Sequence, residues 1–261
     1  MTESPKPIVV KLGGAILQDR EAVRQVWAGL AALARPAVVV HGGGPQATAL
    51  ARQLGHEPRM VHGRRVTTDL DLQIALWAYR GELNVQLVAA GLTAGARAVG
   101  LSGVDGGMVQ VERRPPRQID GETVDFGWVG DVTGADAAPL RALLAAGFVP
   151  VVAPLGVDGD GQVYNVNADT IALEVAAALG ADQLVLVAEV GALRRDAGDP
   201  ATALASITPG DAASGQAAGW ISGGMRVKLD VGFEALRRGV GRVRIAAPDA
   251  LASDAGTSLV L

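Results

Sequence analysis

The run Val38-Val39-Val40-His41-Gly42-Gly43-Gly44-Pro45-Gln46 constrains the fold of this chain more than any other stretch. Three β-branched residues predict a buried strand. Three consecutive glycines break it. Pro45 suits the first position of the helix that follows, where a missing N–H costs nothing. The chain therefore passes from strand to helix through backbone without Cβ atoms. One glycine would satisfy a tight turn at positive φ; three invite a ligand to approach the main chain. Outward N–H groups at a helix N-terminus, reinforced by the helix dipole, suit a phosphate or a carboxylate.

Ile8-Val9-Val10-Lys11-Leu12-Gly13-Gly14 is a second strand ending in glycines. A lysine in so apolar a strand reads either as an edge or snorkelling residue, or as a cation held at a strand end. A helix is predicted over 21–33, with Val23, Val26, Leu30 and Leu33 on one face. Another runs from the glycine turn to about Leu54. Pro58 to Thr68 reads as a loop, in which Arg64 and Arg65 could clamp a carboxylate. A long helix is predicted from Asp69 to about Ala90, then a strand over 97–101 and a glycine-rich hairpin region over 102–111.

Arg113 to Asp120 reads as an exposed connection, Val124 to Gly130 as a strand, Ala135 to Ala146 as a helix and Phe148 to Ala153 as a strand. Val157-Asp158-Gly159-Asp160-Gly161 suits a hairpin turn, since the rest of a calcium-loop ligand set is missing. Asn165, Asn167 and Asp169 precede a helix to about Leu179. They supply more polar groups than one N-cap needs. A strand follows at 184–187. Trp220 to Lys228 opens a helix reaching about Arg238, and strands are predicted at 243–245 and 256–260. Alternation of strands and helices predicts α/β layers around a largely parallel sheet. The Pro154–Gly156 turn is the best domain boundary.

The 261 residues suffice for one large or two small domains. With 49% hydrophobic but only 3% aromatic residues, the core must be built from Ala, Val and Leu. A net charge of −4 without a basic run argues against nucleic-acid binding. There are no cysteines, hence no thiolate metal site. His41, His56 and His62 lack metal-ligand spacing and read as loop residues; no metal site is expected. Residues 1–7 show no apolar core before a cleavage site, and no run reaches about 18 apolar residues. A cytoplasmic protein with no membrane partner is the expectation.

The chemical inventory is two lysines near glycine pairs (Lys11, Lys228), two glycine turns, an arginine pair and the Asn/Asp cluster. G-x-S-x-G and G-x-x-x-x-G-K-[ST] are both missing. Phosphoryl transfer needs little covalent help; it needs the group held in line and its charge neutralised. Lysines, Mg²⁺ and preorganised N–H groups supply that. A carboxylate acceptor is already ionised at neutral pH, so no general base is required. One rival is a dinucleotide-dependent oxidoreductase, because Gly42-x-Gly44-x-x-Ala47 fits the loose fingerprint. That fingerprint expects an acidic residue closing the next strand about 20 positions on, where this chain has Glu57 in a loop.

Taken in order, several motifs make the chain resemble the amino acid kinase family over essentially its whole length. They are Val10-Lys11-Leu12-Gly13-Gly14, Val40-His41-Gly42-Gly43-Gly44, Gly63-Arg64-Arg65-Val66-Thr67 and Val99-Gly100-Leu101-Ser102-Gly103. Gly127-Trp128-Val129-Gly130, Asn165-Val166-Asn167-Ala168-Asp169, Gly223-Gly224-Met225-Arg226-Val227-Lys228 and Gly256-Thr257 complete the set. The similarity is greatest to the branch acting on N-acetyl-L-glutamate in arginine biosynthesis. It implies a three-layer αβα sandwich around a largely parallel open sheet, with residues 1–155 binding the acyl acceptor and 156–261 binding MgATP. It implies that Lys11 and Lys228 stabilise the transferring phosphoryl group and that Asp169 orients both. Gly13, Gly14, Gly43 and Gly44 would bind phosphate. Gly43, Gly44, Arg65 and Asn165 would bind the acceptor, Arg65 through its α-carboxylate. Glu189, Gly191, Ile221 and Ser222 would lie at the nucleotide.

Two departures stand out. Ala188-Glu189-Val190-Gly191-Ala192 replaces the family's Thr/Ser-Asp-Val-x-Gly run, and Val85 follows Asn84 where a lysine is common. A carrier-bound aminoadipate or glutamate acceptor is the alternative within the family, and Arg113, Arg114 and Arg117 offer it a basic patch. A non-catalytic paralogue is the other. Only seven residues precede the first strand, so a homodimer insensitive to arginine is expected.

Overall fold

The computed structural model describes residues 5–196 and 198–261. The leader reading at residues 1–4 falls outside that range. The chain opens with β1 (Ile8–Leu12), α1 (Arg20–Leu33), β2 (Ala37–His41) and α2 (Gly44–Gln53). A hairpin of β3 (Met60–Val61) and β4 (Arg64–Arg65) leads into α3 (Asp69–Ala75). A π-helical stretch, Leu76–Leu83, joins α3 to α4 (Asn84–Thr93) without a break. Next come β5 (Ala98–Ser102), β6 (Val109–Arg113), β7 (Arg117–Ile119), β8 (Glu122–Val124) and β9 (Gly130–Ala135). Then follow α5 (Ala138–Ala145), β10 (Val149–Ala153), β11 (Leu155–Val157), β12 (Val163–Asn165), α6 (Ala168–Leu179) and β13 (Gln183–Val187). The chain closes through β14 (Ser206–Ile207), α7 (Pro209–Ala217), α8 (Gly223–Arg237), β15 (Arg242–Ala246) and β16 (Thr257–Leu259).

The main sheet has eight strands in the order β14-β16-β15-β13-β1-β2-β10-β5. It is parallel except where β16 runs against β15. Both faces are covered, so β1, β2 and β13 are buried along their whole length. Strand alternation sorts the core. Ile8, Val10, Leu12 and Val39 pack beneath Val26, Trp27 and Leu30 of α1 and Leu87 of α4. Val9, Val38 and Val40 face Ile171 and Val175 of α6, in a cluster that also takes in Leu229 and Phe233 of α8. The three layers implied by the resemblance are present. β1 lies between β2 and β13, so the strand order reverses beside it. In open α/β sheets ligands bind beyond the carboxyl ends of strands at such a point.

Several local expectations are corrected. Pro58–Thr68 contains the β3–β4 hairpin, because His62 and Gly63 both take positive φ (48° and 74°), as a two-residue hairpin turn requires. Asp120-Gly121 does the same (φ 52° and 84°), turning the expected exposed connection into the β7–β8 hairpin. The expected strand over 124–130 stops at Val124. Gly127 takes φ +64° and its N–H donates to Asp125 Oδ1 at 2.8 Å, and the strand resumes only as β9. Lys11 stands in a central strand, not an edge. His41 is the last residue of β2 and fully buried, not in a loop. The long helix extends to Thr93, its start fixed by a capping box of Thr68 and Asp71.

Candidate active site

A cleft of about 530 Å³ opens where β1 and β2 end. Lys11, Gly14, Gly42, Gly43, Gly44, Arg65, Asn165 and Asp169 all line it. At its floor Lys11 Nζ lies 2.9 Å and Lys228 Nζ 3.4 Å from the same oxygen, Asp169 Oδ1. Three elements converge there: the end of β1, the first turn of α6 and the second turn of α8. Asp169 is free for this role because the cap of α6 is Asn167, whose Oδ1 accepts from the Asp169 N–H at 2.8 Å.

The electrostatics follow from burial. Burial alone would raise the Asp169 carboxyl, but the two ammonium groups overcome it and hold its pKa below the usual range. Burial brings Lys11 down to about 8, helped by repulsion from Lys228 and opposed by Asp169. The site thus carries two cations against one anion in a poorly solvated place, a net positive charge ready for a polyanion.

The glycines divide by cause. A Cβ on Gly43 would sit 2.5 Å from Leu83 and 2.7 Å from Tyr79, and one on Gly14 2.6 Å from Pro45. Packing forbids a side chain at both. Gly44, by contrast, has no atom within 4 Å of a Cβ position, and neither does Gly13. Gly44 opens α2, with Gly43 at the N-cap and Pro45 one place later than expected. Among the described residues no backbone carbonyl accepts from the N–H of Gly43 or Gly44.

On the wall, Arg65 is 8% exposed. Its Nη2 donates to Thr48 Oγ1 at 2.6 Å and to the Gly44 carbonyl at 3.2 Å. Its Nη1 is buried without a hydrogen bond, 3.6 Å from Asp71 Oδ1. A buried guanidinium nitrogen in want of an acceptor is what an incoming carboxylate needs. Asn165 Nδ2 donates to Thr67 Oγ1 at 3.1 Å, which orients the amide. Thr48 and Asp71 join the site without having been predicted, and Thr67 stands in the sequence only as the last residue of the Gly63–Thr67 motif. Only Asp71 carried a local signal, the Thr68-x-x-Asp71 box.

The residues expected at the nucleotide, Glu189, Gly191, Ile221 and Ser222, lie outside this lining, as do Gly13 and Lys228, the latter reaching the cleft only through Asp169. The Ile221 side chain is 3% exposed and packs in the core, leaving only its backbone for a ligand. Gly191 takes φ +68° against Ala247. Ser222 is the N-cap of α8 but its side chain makes no capping bond. Among the described residues no group of three or more His, Asp or Glu could hold a metal. No described helix is long and apolar enough to cross a membrane.

Two rival readings lose their footing. After α2 the chain forms a small hairpin, and β2 is flanked by β1 and β10, so the strand that should carry the acidic residue of a dinucleotide fold does not exist there. Arg113, Arg114 and Arg117 are paired with Asp125 and Asp131 at 2.6–3.1 Å, which neutralises most of the basic patch offered to an acidic carrier.

The sequence pattern of the amino acid kinase family matches residues 6–247. An acetylglutamate kinase of Sorangium cellulosum is 44% identical over 251 residues, covering 94% of this chain and 88% of its own. One of Methanopyrus kandleri is 41% identical over 249 residues, covering 95% and 98%. A solved structure from Streptococcus mutans UA159 superposes with a TM-score of 0.80 at 26% identity, covering 97% of this chain and 98% of that one. Sequence, sheet order and the paired lysines agree: the chain belongs to the amino acid kinase family.

Proposed function

We propose that the protein transfers the γ-phosphoryl group of ATP to the γ-carboxylate of N-acetyl-L-glutamate, giving N-acetyl-L-glutamyl 5-phosphate and ADP, as a step of arginine biosynthesis. The observation that carries this reading is the pair of lysines on Asp169, which lines a cleft shared with an Arg65 nitrogen that has no hydrogen bond. It occurs in a chain 44% identical to an acetylglutamate kinase along nearly its full length. A carboxylate oxygen attacks the γ-phosphorus and the bond to the β,γ-bridging oxygen breaks. No proton moves, so no general base is needed. Lys11 and Lys228 neutralise the charge that spreads over the equatorial oxygens, with Mg²⁺ arriving on the nucleotide. Gly14, Gly43 and Gly44 donate N–H bonds. Residues 1–155 hold the acceptor and residues 156–261 the nucleotide, the latter through the 189–191 segment and the start of α8.

The test is ATP-dependent acyl-hydroxamate formation with N-acetyl-L-glutamate, glutamate, aspartate and N-acetylaminoadipate side by side. Signal confined to N-acetyl-L-glutamate supports the reading. Silence with all four, alongside a normal nucleotide titration, would replace it with a carrier-bound acceptor.

Arg65→Lys is expected to raise the KM for N-acetyl-L-glutamate about thirtyfold, because losing one charged hydrogen bond costs about 2 kcal/mol and lysine cannot reproduce the fork. The KM for ATP should stay within about threefold. An unchanged acceptor KM would remove Arg65 from the acceptor site.

The assembly proposed is a homodimer. Leu70, Trp77, Val85 and Leu92 are 38–57% exposed along the α3–α4 helix, a row of large apolar side chains with no cover inside the subunit. Light scattering should give twice the chain mass of 26.6 kDa, and Trp77→Glu should halve it. A parent protein that runs at the single-chain mass would discard the proposal.

A further inference from the structure

His41 is fully buried, and both of its ring nitrogens are engaged. Nδ1 lies 2.8 Å from the Gly42 carbonyl oxygen, which can only accept, so Nδ1 carries the proton. Nε2 lies 3.1 Å from Asn84 Nδ2. That amide nitrogen also donates to the Val151 carbonyl at 2.9 Å, while Asn84 Oδ1 accepts from Arg80 Nη1 at 3.1 Å. The amide orientation is therefore fixed, and Nε2 must accept. The ring is neutral and held in one tautomer; burial, the largest influence, brings its pKa down to about 4.

The consequence lies in the Gly42–Gly43 peptide. It is trans, so its C=O and N–H point to opposite sides. His41 draws the carbonyl to the sheet face covered by α4. The N–H then points to the other face, where Ala168 comes within 3.8 Å of a Cβ position on Gly42 and Lys11 meets Asp169. Asn84, itself held by Arg80, follows directly on the π-helical stretch that ends at Leu83, which also packs beneath Gly43. π-Helical insertions are frequent at functional sites.

We infer that His41, held by Asn84 and Arg80, is a positioning residue that aims the Gly43 N–H at the transferring phosphoryl group. This rests on the phosphotransfer reading above. A donor preorganised in this way acts on the transition state more than on either bound substrate.

His41→Leu keeps the bulk and removes the donor, His41→Gln presents an amide near Asn84 but not to Gly42, and His41→Asn places an amide N–H where Nδ1 stood. His41→Leu is expected to lower kcat by about 10², with both KM values within about threefold and with affinity for MgADP–aluminium fluoride falling in step with kcat. His41→Gln should behave like His41→Leu, whereas His41→Asn should recover kcat to within about fivefold of the parent. A purely structural role would lower the melting temperature of all three and give asparagine no advantage. Parent-like kcat in a well-folded His41→Leu, or equal losses in all three, overturns the inference. ¹⁵N NMR of histidine-labelled parent protein is a check that needs no variant. It should show His41 neutral and Nδ1-protonated from pH 6 to 8, and an imidazolium or the other tautomer would also overturn it. If the parent forms no acyl phosphate with N-acetyl-L-glutamate, the functional reading fails instead, and the NMR result stands apart from it.

Discussion

Replacing Asp169 by asparagine is expected to lower kcat by about 10³ while the protein remains folded. Among the described residues the carboxylate is the one anion touching both lysines, at 2.9 and 3.4 Å. Without its charge the two ammonium groups repel each other in a buried site, and neither is held where the phosphoryl group arrives. Losing a single preorganised donor costs about 2.7–4 kcal/mol; here two are displaced together. The pH profile supplies an independent signature. In the parent, Lys11 must stay protonated against a pKa lowered to about 8, chiefly by burial. The kcat/KM of the free enzyme should therefore fall as pH rises through about 8. Asp169 is the influence that raises this pKa, so in the variant the alkaline limb moves to lower pH and residual activity grows on acidification towards pH 6. Steady-state hydroxamate assays from pH 6 to 9 measure both effects. A variant within tenfold of the parent, with the limb unmoved, would remove Asp169 from the reaction.

Lys228→Ala is the second large effect. Lys228 approaches from α8, on the nucleotide side of the proposed cleft, and its side chain is 15% exposed. A cation that meets the phosphoryl group mainly as charge spreads in the transition state contributes to kcat rather than to acceptor binding. The loss expected is about 10² in kcat, with the KM for N-acetyl-L-glutamate nearly unchanged. Removing Lys228 also removes a repulsion from Lys11, so the alkaline limb should move upward, opposite to the shift in Asp169→Asn. Wild-type-like turnover would take Lys228 out of the mechanism.

The sequence made the layers legible because β1, β2 and β13 each carry four apolar residues out of five and the intervening helices have clear periodicity. It also exposed Lys11, since a lysine in such a strand demands an explanation. The hairpins were harder. His62-Gly63 and Asp120-Gly121 turn strands of only two and three residues, which leave no periodicity to read. α7 (Pro209–Ala217), with a Thr208–Asp211 capping box of its own, is rich in Gly, Ala and Ser and lies in a stretch where no element is predicted. The partners of Arg65 could not be read locally. Thr48 is 17 residues away from it, and Asn165 meets Thr67 across 98 residues. Such pairs exist only after the sheet has formed. His41 was misread for the same reason: its role depends on Asn84, 43 residues on.

The π-helical stretch between α3 and α4 works as a phase adjuster. Leu70 to Trp77 and Val85 to Leu92 are each separated by seven residues, two α-helical turns, whereas Trp77 to Val85 spans eight. Each residue of an α-helix turns the chain by about 100°, so an uninterrupted helix would carry Val85 and Leu92 round to another side. The wider i→i+5 hydrogen bonding absorbs the surplus residue. That same surplus sets the angle at which Asn84 meets His41. One inserted residue thus holds in register an outer apolar row and an inner polar contact, so neither can be re-phased by insertion or deletion in this stretch without turning the other.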